Sequence, residues 1–312
     1  MTLFALVSTA SLGVPRGSHA QQTAQPAASA SAPPDASSAQ PSEAPAEQRW
    51  CAPGLPALAH DVCYHEPSHP DAQHRTLVIF LHGVVQPGTT WQWAQQTGIA
   101  RAADQNGFTV IMPRARRGYG PGNMHDWWTW PTSVAAQHQV EDDVVSEWMQ
   151  AKQTLEARAG RPFDRVYVFG FSSGAYYGAS LALRGRLEVD GYAVFAGGSA
   201  PDGAPRWAAH VRPRPPIYVG YGEKDATAKR DTRRLANALR ALHWPHRYVG
   251  HRNVGHSMTD SQIREALALF ESRSPTLHAE RAAGEEPSAR PSPARPARSK
   301  PAPSRRRRHP GH

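Results

Sequence analysis

The chain has 312 residues, 35 Lys and Arg against 26 Asp and Glu, and two cysteines. Its formal charge of +9 is concentrated at one end: from Pro287 onward there are eight basic residues and no acid, which leaves about +1 for everything before. The body therefore carries no charge-based case for nucleic-acid binding, no Cys/His cluster has zinc-like spacing, and no apolar run is long enough to span a membrane.

In chain order, residues 1–20 hold the apolar run Leu3–Val7 and end on Ser18-His19-Ala20. That small-residue ending suits signal-peptide removal, although no Lys or Arg precedes Arg16, and it predicts a secreted or periplasmic protein. Residues 21–48 are nearly all Ala, Pro, Ser and Gln and read as a flexible linker. Cys51 and Cys63 stand at the leading edge of the segment 49–273, and in an exported chain two cysteines at short spacing predict one disulfide. That segment alternates between β-type and helical patterns. Strands are predicted at 76–81, 108–112, 165–169, 191–196, 216–221 and 246–250, with one or two edge strands near 60–66. Helices are predicted at 91–106, 133–158, 174–184, 227–242 and 259–272. This β/α alternation predicts an α/β fold: a mostly parallel sheet with right-handed crossovers and helices on both faces. Residues 274–312 are rich in Pro, Ser, Ala and Arg and read as a disordered basic tail, either solvated or in contact with an anionic surface.

One stretch carries chemistry. Gly170-Phe171-Ser172-Ser173-Gly174 lies between the β-run Arg165–Phe169 and the small-residue helical run Ala175–Leu183. Strand, Gly-x-Ser-x-Gly, helix is the context of a nucleophile elbow, in which a sharp turn pushes the serine hydroxyl out of the sheet edge. Gly170 and Gly174 are needed because a Cβ at either site would strike the neighbouring strand or helix. The helix N-terminus aims free N–H groups at any oxyanion formed there.

A hydroxyl needs a base to take its proton, and the base needs an acid to hold its tautomer. Asp225 follows the predicted strand 216–221, and His256 follows the strand 246–250 in a Gly255-His256-Ser257 loop. Both fall on the site side of a parallel sheet. Glu223 is the alternative acid, Asp202 a weaker one in a Gly/Pro-rich loop, and His243, His246 and His251 are alternative bases. An oxyanion hole needs two backbone N–H donors. Ser173 supplies one, and the loop His82-Gly83-Val84 after the strand 76–81 supplies the other near Val84. No metal or other cofactor is expected. The long loop 114–131 holds Arg114, Arg116, Arg117 and then Asp126-Trp127-Trp128-Thr129-Trp130. Trp127, Trp128 and Trp130 are candidate walls of a substrate site; the competing expectation is that they clamp the loop to the domain beside Trp91 and Trp93.

Leu81-His82-Gly83, the elbow, Gly222-Glu223-Lys224-Asp225 and Gly255-His256-Ser257 together resemble the α/β-hydrolase superfamily over roughly residues 50–273. Within it the chain is similar to secreted esterases of the polyhydroxybutyrate-depolymerase-like and feruloyl- or acetylxylan-esterase-like group. Members often carry Gly-Leu-Ser-Ala-Gly at the elbow, from which this chain departs. The resemblance implies hydrolysis of a carboxylic ester, small or polymeric, through an acyl-enzyme. A peptidase or acyltransferase on the same fold, or a catalytically inactive surface-binding module, are the alternatives.

Overall fold

A computed structural model describes residues 49–201 and 203–284. The predicted leader, the linker, Asp202 and most of the basic tail lie outside the described residues.

Within them, seven strands form one sheet: β1 (Cys63–His65), β2 (Thr76–Leu81), β3 (Thr109–Met112), β4 (Arg165–Phe171), β5 (Gly191–Phe195), β6 (Ile217–Gly222) and β7 (His246–His251). The order is β1-β3-β2-β4-β5-β6-β7, and β1 alone pairs antiparallel, against β3. The helices are α1 (Trp91–Asn106), α2 (Val134–Ala159), α3 (Ser173–Arg184), α4 (Ala204–Ala208), α5 (Ala226–Ala241) and α6 (Asp260–Gly284).

β2 shows why its sequence is apolar throughout. Leu77, Ile79 and Leu81 point into one core with Trp148, Tyr177 and Leu235 from α2, α3 and α5. Val78 and Phe80 point into a second core with Ile99, Ile263 and Phe270 from α1 and α6. A parallel strand covered on both faces has no polar side to show. The structure is thus the three-layer α/β arrangement that the pattern predicts. Register aligns the C-terminal ends: Leu81 opposes Gly170, Phe171 opposes Phe195, and Gly222 opposes His251. Every loop named as functional leaves this edge, where α/β sheets build their sites.

Two features differ from expectation. α6 continues through residues 274–284, which the sequence assigned to the tail, and it carries Pro275 inside it. Ser274 and Leu277 are buried, so tertiary contact holds the extra turns where composition predicts none. The short helix α4 and two 3₁₀ turns, Ala59–Asp61 and Gly122–Met124, have too few residues for a periodic signal. Cys51 and Cys63 are disulfide-bonded, which anchors the segment before β1 to that strand.

Candidate active site

The elbow is a backbone feature first. Ser172 has φ 52° and ψ −115°, a left-handed turn that a β-substituted residue adopts only when its surroundings enforce it. The enforcement is visible. Ser172 N–H donates to Phe195 O at 2.9 Å and Gly174 N–H to His82 O at 3.2 Å. A Cβ on Gly170 would lie 2.3 Å from Gly174 O, and one on Gly174 would lie 2.1 Å from Leu81 O, so neither position tolerates a side chain.

His256 and Asp225 come to this serine across long stretches of chain. Ser172 Oγ and His256 Nε2 are 3.0 Å apart, and His256 Nδ1 and Asp225 Oδ2 are 2.5 Å apart. The other Asp225 oxygen, Oδ1, accepts the Ala228 N–H at 2.9 Å and caps α5. One carboxylate therefore both starts a helix and holds an imidazole, and the helix fixes its rotamer. Asp225 is 9% exposed and His256 53%, so the carboxylate is shielded while the imidazole faces the open side. The rival groups are elsewhere. Glu223 is exposed, His251 meets the Tyr218 hydroxyl at 3.2 Å, and His246 Nδ1 lies 2.8 Å from Trp244 O.

The loop after β2 is held from three sides. Gly83 N–H donates to Gln95 Oε1 at 2.8 Å, and the Val84 and Ser173 amides meet no protein acceptor among the described residues. Val85 exchanges two backbone hydrogen bonds with Trp128, at 3.1 and 2.9 Å, so the aromatic loop braces this one. His82 is the third support. Its carbonyl accepts from Gly174 N–H and from Trp130 Nε1 at 2.7 Å, its Nε2 accepts the Ala115 N–H at 3.2 Å, and its Nδ1 donates to Gly83 O. Gln95 does not stand out in the sequence as a site residue, and His82 does so only as part of the Leu81-His82-Gly83 motif, without a role of its own. Their partners are set by folding, and the one local signal is a histidine ending a buried strand.

Burial lowers the His82 pKa to about 4, with the Gly83 hydrogen bond opposing it. Protonation at Nε2 would also remove the acceptor for Ala115. A histidine depressed in the fold contributes stability that is complete above its unfolded value, about 6.5, and is lost as pH falls from there toward about 4. The expected loss over that window is about 3 kcal/mol. Denaturant unfolding of wild type and His82→Gln at pH 7 and pH 4.5 measures it; parallel losses in the two proteins would assign the acid sensitivity to other groups.

The aromatic loop packs. Trp130 is 1% exposed, stacks on Tyr177 at 5.9 Å and meets Trp148 at 5.6 Å. It therefore has no face left for substrate, which corrects the expectation of a wall there. Trp127 sets its ring edge-on to Trp91 at 5.6 Å, and Trp128 lies under Arg114, 4.4 Å from ring to guanidinium, and beside Trp50. The arginines are likewise engaged: Arg114 with Asp61 at 2.6 Å, Arg116 with Glu147 at 2.5 Å, and Arg117 with Asp126 O at 2.8 Å. Trp130→Ala should cost about 3–5 kcal/mol, against about 1 kcal/mol for Trp127→Ala. Thermal unfolding of the two variants checks the ranking; a loss at Trp130 no larger than that at Trp127 would overturn it.

The sheet order, the elbow and the loops at one sheet edge define an α/β-hydrolase. Residues 65–270 match the phospholipase/carboxylesterase family, and the chain belongs to that family of hydrolases. No curated protein matches it. Among solved structures it is similar to an α/β serine hydrolase without a lid from Xanthomonas campestris, at 24% identity and TM-score 0.46, over 72% of this chain and 95% of that one. It is also similar to Zea mays acyl-protein thioesterase 2, at 16% identity and TM-score 0.48, over 69% and 98%. An uncharacterized protein from Bacillus cereus ATCC 10987 aligns at 17% identity and TM-score 0.48, over 67% of this chain and 63% of that chain's length. The family match does not extend to a polyhydroxybutyrate, feruloyl or acetylxylan substrate.

Proposed function

We propose that the protein is a serine esterase acting on carboxylic esters. Ser172 Oγ attacks the ester carbonyl carbon while His256 Nε2 takes its proton, and the imidazolium is held by Asp225. The amides of Val84 and Ser173 stabilise the tetrahedral oxyanion, His256 returns the proton to the leaving alcohol, and water then hydrolyses the acyl-enzyme by the reverse sequence of proton transfers. The observation that carries the reading is the hydrogen-bonded line from Ser172 through His256 to Asp225, 3.0 and 2.5 Å, ending at a strained serine. Export belongs to the same reading, supported by the Cys51–Cys63 bond, since such bonds persist in oxidising compartments.

Purified protein assayed on p-nitrophenyl acetate, the matching thioester and the matching amide tests this. The expected result is turnover of the ester with a burst of p-nitrophenol equal to the enzyme present. Turnover of the amide in preference to the ester would make it a peptidase; no turnover with no labelling by a fluorophosphonate would leave a binding module.

A further inference from the structure

Beside His256 lies a cavity of about 200 Å³ between α1 and the start of α6. Phe80 and Phe171 line it from β2 and β4, and Met258 and Ile263 from the α6 side. From α1 come Gln95, Gly98 and Arg101, spaced three apart and hence on one face of the helix. At a rise of about 1.5 Å per residue, that face runs about 9 Å from Gln95 to Arg101. Gln95 is the residue that holds Gly83 beside the elbow, so its end of the trough adjoins the reacting serine. At the other end Arg101 Nη2 meets Asp260 Oδ1 at 3.1 Å and joins the two helices.

Gly98 is the informative residue. Glycine in a helix interior is destabilising relative to alanine, and it is normally retained for a left-handed turn or a close approach. Neither applies here: its φ is not in the left-handed range, and a Cβ built on it meets nothing within 4 Å. What the missing side chain does is leave the trough open.

We propose that this trough binds an uncharged alkyl or aryl arm of the ester, kept open by Gly98 and closed at its far end by the Arg101–Asp260 pair. Phe80, Phe171, Met258 and Ile263 give the trough apolar walls, Gln95, His256 and Ser257 add polar groups to the lining, and the one guanidinium in it is already matched by a carboxylate. The inference rests on the serine-esterase reading of the same site. Each methylene transferred from water into such a lining favours kcat/KM by about fourfold, so the arm should be read as a length preference.

The test uses the full chain and two substrate series: p-nitrophenyl esters from acetyl to octanoyl, and acetates of alcohols from methyl to octyl. Gly98→Ala should raise the melting temperature. Gly98→Phe, or Gly98→Leu if the larger ring prevents folding, should lower the ratio of kcat/KM for the six-carbon to the two-carbon substrate about tenfold or more in the series whose arm occupies the trough. Arg101→Ala should move the preferred length upward in that same series. Folded, fluorophosphonate-labelled Gly98 variants with the wild-type length profile in both series would overturn the trough and leave the esterase reading standing. Wild-type protein that neither turns over ester nor takes label would overturn both.

Discussion

Ser172→Ala is expected to lower kcat on any turned-over ester by about 10³-fold or more while the domain stays folded. In the proposed mechanism the hydroxyl oxygen forms the bond to substrate, and removing one member of a unit that acts together removes most of what the unit does. The fold should be indifferent to the change. Ser172 has no side-chain cap bond to α3, and among the described residues its Oγ partner is His256 alone. The unusual backbone at φ 52° is held by Gly170, Gly174 and the Phe195 carbonyl rather than by the hydroxyl. Active-site titration with a fluorophosphonate, then peptide mapping, should place the label on Ser172 and not on Ser173. Label on Ser173, or retained turnover in the alanine variant, would remove Ser172 from the chemistry.

Asp225→Asn should cost about 10²-fold or more in kcat and little stability. The two effects separate because the residue does two jobs. Asparagine is as good an N-cap as aspartate, so the bond from Ala228 N–H to the side-chain oxygen survives and α5 still starts in place. The amide nitrogen, however, presents a donor to His256 Nδ1 where the carboxylate presented an acceptor. The imidazole then keeps its proton on Nε2, toward Ser172, and can no longer accept one from it. Asp225→Ala should lose the cap as well, at a further cost of about 1 kcal/mol in stability. Glu223→Gln, at an exposed position and not among the hydrogen-bond or ion-pair partners of His256 in the described residues, should be near wild type in both measures. Steady-state kinetics with thermal unfolding on the three variants decides the matter; a large kinetic loss in Glu223→Gln with none in Asp225→Asn would transfer the acid role.

The sequence by itself determined everything whose cause is local. Val78-Ile79-Phe80 and Val166-Tyr167-Val168 are strands because unbroken runs of β-branched and aromatic residues favour an extended backbone, and α5 starts just after Asp225 because that carboxylate caps it. The elbow was legible because two glycines and a serine between a strand and a helix admit one backbone path. The order Ser172, Asp225, His256 was legible because each follows a strand that ends on the same sheet edge. The tertiary structure decided what depends on partners far apart in the chain. Trp130 resembled a substrate wall until Tyr177, Trp148 and the His82 carbonyl enclosed it. Gln95 looked like an ordinary helix residue until the Gly83 amide reached it, and residues 274–284 looked like tail until Leu277 found a buried place. In each case the side chain has no intrinsic preference that foretells the outcome. A tryptophan, a glutamine or a leucine takes its role from the surface it meets, and that surface exists only once the sheet has brought distant segments together.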